Sequence, residues 1–220
     1  LEKRYKIRNP ELVNGYYEEG KSIILCAGHI NNWEWWITYQ NEAIKHKAIG
    51  IGMPLTQASL GEEINKSRAR LGMIITDSGT YKEEIEKSEN NPFALLVLGD
   101  QSPGSVKKSY WTHFLNQPTA FTFGTEMIAN SYNLPVIYYT VHKVKRGYYE
   151  LEFKLLCSEP LSLPYGEITE KYVHFLEKDI LNEPSQWIWS HKRWKKSVPN
   201  DLNSIKNEHK KHFNARFRNI

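Results

Sequence analysis

Cysteine is scarce: the chain has only Cys26 and Cys157, far apart and each in an apolar setting. That argues against a disulfide framework and for a reducing compartment. The spacings CxxC and HExxH are missing, so a structural or catalytic metal has no support, and no cofactor is expected. No apolar run approaches the roughly 20 residues needed to span a bilayer. Internal repeats and low-complexity linkers are lacking as well. Neither sign of charge dominates, with 29 Lys and Arg against 25 Asp and Glu. No nucleic-acid-binding motif accompanies the basic residues, so nucleic acid is not an expected partner. The chain opens on Leu1-Glu-Lys-Arg-Tyr-Lys6, charged from the start and unlike a signal peptide. The missing initiator methionine suggests a trimmed chain, with room for an anchor outside it.

What is present is ordinary globular composition, 40% hydrophobic and 25% charged over 220 residues, enough for one large domain. Short β-rich runs alternate with longer stretches of helical period. Strands are expected over Ser22 to Ala27, Ala48 to Met53, Met73 to Thr76, Ala94 to Leu98 and Pro135 to Val144. Tyr148 to Leu156 reads as an antiparallel return strand after the turn at Lys145-Arg-Gly147. Helices are expected from the Asn pair at 31–32 to about Lys45, then over Thr56 to Arg70, Tyr81 to Ser88, Phe123 to Ser131 and Thr169 to Leu181. The stretch from Ser102 to Gln117, with Lys107, Lys108, Trp111 and Phe114, reads as a long polar loop. Near-continuous apolar strands separated by helices predict a single α/β domain with a mixed, mostly parallel sheet flanked by helices.

One stretch invites chemistry: Leu25-Cys-Ala-Gly-His-Ile-Asn-Asn-Trp-Glu-Trp-Trp36. Ligands of α/β sheets gather at the carboxyl ends of strands, and His29 stands just past one. His29 and Glu34 can meet if the histidine lies in the turn and the carboxylate in the first helical turn, with Asn31 or Asn32 as the cap. Glu34 would then accept the imidazole N–H, and the other ring nitrogen would take a proton from a substrate hydroxyl. The same residues also fit a plain helix start, since Asn31-x-x-Glu34 matches a capping box. Cys26 is a rival nucleophile, set inside the apolar run where thiols are commonly inert. The basic residues fall late, as Lys192, Arg193, Lys195 and Lys196 and then Lys206, Lys210, Lys211, Arg216 and Arg218.

The stretch resembles the HxxxxE signature of the late lipid A acyltransferases, the lauroyl and myristoyl transferase family of bacterial inner membranes. In that family the motif usually reads His-x-Gly-Asn-Trp-Glu; here His29, Asn32, Trp33 and Glu34 match, and Asn31 stands where Gly is usual. Arg68-Ala-Arg70-Leu-Gly72 resembles the family's Arg-rich segment, and Gly99-Asp100-Gln101-Ser-Pro-Gly104 its Asp-Gln loop. Gln186-Trp-Ile-Trp189-Ser-His191-Lys-Arg193-Trp resembles its closing element. Four blocks in order span roughly residues 11 to 196.

The resemblance implies a glycerolipid-acyltransferase-like fold over residues 1–196, a basic tail over 197–220, and an amino-terminal membrane anchor lying outside this chain. It implies transfer of an acyl group from acyl carrier protein to a hydroxyl of a lipid A precursor, at the cytoplasmic face of the inner membrane. His29 would be the general base and Glu34 its orienting carboxylate. Arg68, Arg70 or backbone amides near Gly28 would face the oxyanion, while Asp100, Gln101 and Asn32 support the site or bind the acceptor. The basic clusters suit two anionic partners, acyl carrier protein and a membrane surface. Two other readings keep the fold: a different lipid acceptor, such as a glycolipid or aminolipid, or a lipid-binding module without catalysis.

Overall fold

The computed structural model describes residues 1–52, 58–88 and 91–218. Seven strands form one sheet in the order β1-β9-β8-β2-β5-β3-β4. These are β1 (Tyr5–Ile7), β2 (Ile23–Ala27), β3 (Lys47–Ile51), β4 (Ile74–Thr76), β5 (Phe93–Leu98), β8 (Val136–Lys145) and β9 (Tyr148–Cys157). Strand β3 runs parallel to both β4 and β5, and β1 parallel to β9. Only Arg146 and Gly147 join β8 to β9, which forces that pair to be antiparallel; Gly147 supplies the positive φ of 75° that the turn requires. This is the mostly parallel α/β fold expected from the sequence. Met53 and Thr56, expected at a strand end and a helix start, lie outside the described residues.

The helices are α1 (Glu11–Glu18), α2 (Trp33–Ala43), α3 (Ala58–Ala69), α4 (Tyr81–Glu86), α5 (Gly124–Tyr132), α6 (Glu167–Asn182) and α7 (Leu202–Phe217). The expected long loop at 102–117 is instead largely a hairpin, β6 (Ser109–Phe114) with β7 (Gln117–Thr122), paired antiparallel. Its turn residues Leu115 and Asn116 both have positive φ, 49° and 62°. That geometry normally announces itself with glycine, and here it does not. Trp111 and Phe114 are buried core rings, not the lining of an exposed loop.

The described chain divides into two compact units, one of Leu1–Leu25, Asn31–Val97 and Tyr139–Lys154, the other of Cys26–Ile30, Leu98–Tyr138 and Leu155–Ile220. The first is organised around Trp36, fully buried, stacked on Tyr5 at 6.2 Å and edge-on to Phe153 at 5.9 Å. The second buries Phe114, Phe121, Tyr138, Tyr172 and Leu176. In that unit Glu126 of α5 caps α6 from outside, accepting the Gly166 and Thr169 amides at 2.6 and 2.9 Å.

The basic segment expected over 197–220 contains a helix. Helix α7 buries Ile205 and Phe213, and Phe213 packs on Phe123 at 5.7 Å. Arg218, one of the late basic residues, donates to Asn130 Oδ1 at 2.8 Å and to the carbonyl of Pro160 at 3.1 Å.

Candidate active site

Strand β2 ends at Ala27 and β5 at Leu98, and a candidate functional side chain follows shortly after each. His29 lies two residues past its strand, and so does Asp100, with Gly99 N–H bonding Ala27 O at 3.3 Å. The His29 Nδ1 meets Asp100 Oδ1 at 2.5 Å, and the His29 amide donates to Asp100 Oδ2 at 2.8 Å. A third donor, the Trp187 indole N–H, reaches Oδ2 at 2.9 Å. Gly28 is required for this approach: a Cβ there would stand 3.1 Å from Asp100 Oδ2 and only 2.4 Å from Leu176 Cδ1.

Asp100 is 1% exposed and the His29 side chain 11%. Burial alone would raise the Asp100 carboxyl pKa. The hydrogen bond and charge of His29, its backbone N–H and the Trp187 N–H outweigh that and hold it below the ordinary carboxylate value. Asp100 is therefore an anion at neutral pH. With Nδ1 bonded to it, the imidazole carries its proton on that side and presents Nε2 as the basic nitrogen.

The carboxylate bonded to the His29 imidazole is thus Asp100, and the expectation that Glu34 makes that bond is corrected. Glu34 is held in a two-pronged ion pair by Arg68, Nε to Oε1 at 2.6 Å and Nη2 to Oε2 at 2.8 Å. The planar guanidinium matches both carboxylate oxygens at once, and Arg68 also lies over the Trp33 ring at 5.8 Å. The capping-box alternative does not form either. Asn32, not Asn31, is the N-cap of α2, its Oδ1 accepting the Trp35 amide at 3.3 Å, so Glu34 falls in the first turn. Asn31 takes a φ of 54° and donates from Nδ2 to Val141 O at 2.7 Å. Asn is among the few non-glycine residues that tolerate this left-handed backbone.

Of the remaining expected residues, Arg70 is exposed just past α3, and half-buried Gln101 does not join the pair. Two amides near Gly28 are already engaged, His29 N–H by Asp100 and Ile30 N–H by Gly28 O at 2.9 Å, so neither serves an oxyanion. Cys26 is buried and its thiol is pushed far up by burial, which removes it as a nucleophile. Trp187 is the contributor to which the sequence reading gave no role. Its motif was visible in the closing element, but an indole reads as core until its N–H is seen to meet a buried carboxylate.

No curated protein matches the chain. Among solved structures, it is similar to the 1-acyl-sn-glycerophosphate (LPA) acyltransferase PlsC from Thermotoga maritima. The identity is 13% and the TM-score 0.44, over 88% of this chain and 74% of that one. The family model described as bacterial lipid A biosynthesis acyltransferase matches residues 1–196, and so the chain belongs to that family of acyltransferases.

Proposed function

We propose that the chain transfers a fatty acyl group from acyl carrier protein to a hydroxyl of a lipid A precursor, with His29 as general base and Asp100 as the carboxylate that orients it. The supporting observation is the buried imidazole–carboxylate pair at the ends of β2 and β5 in a chain of an acyltransferase family. A hydroxyl is a poor nucleophile at neutral pH and needs a placed base. His29 Nε2 takes the hydroxyl proton as the oxygen attacks the thioester carbonyl. The tetrahedral oxyanion then collapses, the C–S bond breaks, and the imidazolium returns the proton to the departing thiolate. Asp100 stabilises the imidazolium while it lasts. This proton cycle is closed and uses no cofactor.

The exposed lysines of the closing segment and of α7, Lys192, Lys195, Lys206, Lys210 and Lys211, suit the anionic carrier protein and anionic headgroups. Arg193 does not belong to that surface, because it is buried. The test is transfer from acyl carrier protein to a purified lipid A precursor by the unmodified chain and by His29→Ala. The folded variant is expected to lose roughly 10²–10⁴-fold in rate, the usual contribution of a general base. Near-normal transfer by it would refute the assignment.

A further inference from the structure

The segment from Trp187 to Trp194 has no regular secondary structure, yet it is pinned along its length. Ile30, directly after His29, pairs with Trp187 in an antiparallel bridge. Further on, His191 Nε2 accepts the Ser102 amide at 2.9 Å, two residues past Asp100. Buried Arg193 donates from Nη2 to Ala120 O at 2.7 Å and lies over the Phe121 ring at 4.3 Å. The Trp194 indole N–H reaches Thr119 Oγ1 at 2.9 Å. Burying a guanidinium is costly unless it is hydrogen-bonded, and the Ala120 carbonyl meets that need in part. Trp187 joins this segment to the His29–Asp100 pair, through its indole N–H on Asp100.

We infer that Trp187 is a positioning residue of the acyl-transfer site, its indole N–H fixing the Asp100 carboxylate so that Oδ1 meets the His29 imidazole. This rests on His29 acting as the base. A carboxylate can turn about its Cβ–Cγ bond and offer either oxygen. Here Oδ2 is tied by two donors, the His29 amide and the Trp187 indole, so Oδ1 is the oxygen left for Nδ1. The indole N–H also draws charge from the carboxylate. Removing it makes Asp100 more basic and the imidazolium beside it more stable. The neutral imidazole that a base must be then appears at higher pH. Among the described residues, the other titratable or charged groups that act on the pair are Tyr172 from α6 and His191 and Arg193 from the closing segment.

The experiment compares the unmodified chain with Trp187→Phe, which keeps an aromatic ring and deletes the donor. For acyl transfer, kcat is expected to fall about tenfold with KM unchanged, since Trp187 bonds Asp100 and not substrate. The acid limb of the pH profile is expected to move up by roughly one pH unit. In the substrate-free chain, the His29 imidazole followed by NMR is expected to titrate higher by the same amount. An acid limb and an imidazole titration that both stay put overturn the inference, whatever happens to kcat, because a ring that merely fills the core would leave them unmoved. The NMR measurement is independent of the base assignment: if His29→Ala keeps transferring acyl groups, that assignment fails while the indole's effect on the imidazole is still read. Should Trp187→Phe not fold, tryptophan-¹⁵N labelling of the unmodified chain puts the same question. One indole N–H is expected to follow the His29 titration and to lose that response in His29→Ala and in Asp100→Asn; the lack of any such indole overturns the inference.

Discussion

Glu34 and Asp100 each hold a basic side chain, and they do so in opposite ways. Glu34 grips Arg68 with both oxygens, but its side chain is 40% exposed and that of Arg68 21%. Asp100 accepts three hydrogen bonds while almost wholly out of water. The exposed pair has better ion-pair geometry and smaller consequences, because water screens it and competes for both partners; such pairs are worth about 0–1 kcal/mol. The buried carboxylate has no alternative to its protein donors, so its charge acts on the imidazole at close range in a poorly screened setting. Sequence proximity favours Glu34 as the partner of His29. The sheet overrides it by delivering Asp100 from the end of a strand far along the chain.

The comparison is tested most severely at Asp100. Asp100→Asn leaves the shape of the site but replaces an anion with an amide that cannot stabilise imidazolium, so kcat is expected to fall by at least about 10²-fold with KM little changed. The stability consequence has a defined sign. The Asp100 carboxyl is held below its ordinary pKa in the folded chain, so its contribution is present above the unfolded value of about 3.9 and is lost as pH falls through the lower folded value. Urea midpoints measured from neutral to strongly acidic pH should therefore show a component of acid destabilisation in the unmodified chain that Asp100→Asn lacks. If Asp100→Asn turns over normally, the distinction between the two carboxylates has no functional meaning.

Glu34→Gln sharpens the contrast from the other side. It removes the charge of the exposed pair while keeping its size, so stability should change by no more than about 1 kcal/mol. Transfer is expected to fall less than tenfold, well short of Asp100→Asn in the same assay. Arg68→Lys should behave similarly, with any loss coming from the two-pronged geometry that an ammonium cannot reproduce. Equal losses from Glu34→Gln and Asp100→Asn would remove burial as the deciding variable.

Much of this architecture was legible because periodicity reports what a segment buries. The apolar runs ending at Ala27 and Leu98 read as buried strands, as they prove to be, and His29 and Asp100 stand out because each closely follows such a run. Which residues meet was not legible, since hydrogen bonds between residues 71 and 87 positions apart in sequence depend on strand order, which periodicity does not encode. The β6–β7 hairpin escaped because Leu115-Asn116 takes a left-handed turn without glycine. Strand β1 and helix α1 escaped because they are short and mostly polar. Helix α7 escaped for a related reason: its Lys, His and Arg residues mask a narrow apolar stripe at Ile205 and Phe213. Resemblance placed the closing element in the family, but only coordinates could connect its tryptophan to Asp100.

The smallest effect expected concerns that last helix, where the same rule of burial acts on a histidine. In α7, His209 Nδ1 lies 2.6 Å from the Tyr165 hydroxyl and its ring 4.8 Å from that of Phe123. Burial, then the charge of His212, lowers the His209 pKa. Its neutral form therefore suits the folded state, with the Tyr165 O–H donating to Nδ1. A histidine whose folded pKa lies below the unfolded value of about 6.5 costs nothing above that value. It destabilises progressively as pH falls below it, because the unfolded chain then binds the proton more readily. The α7 amides should accordingly exchange hydrogen faster, relative to the intrinsic rates, at pH 5.5 than at pH 8. In His209→Gln that pH step should be smaller, since no imidazole remains to be protonated against the aromatic cluster. Acyl transfer at pH 8 should be the same in both proteins, because His209 contacts neither His29 nor Asp100. If the pH step is undiminished in His209→Gln, His209 is not the group that loosens the helix; if transfer falls, α7 bears on the chemistry through a path other than packing.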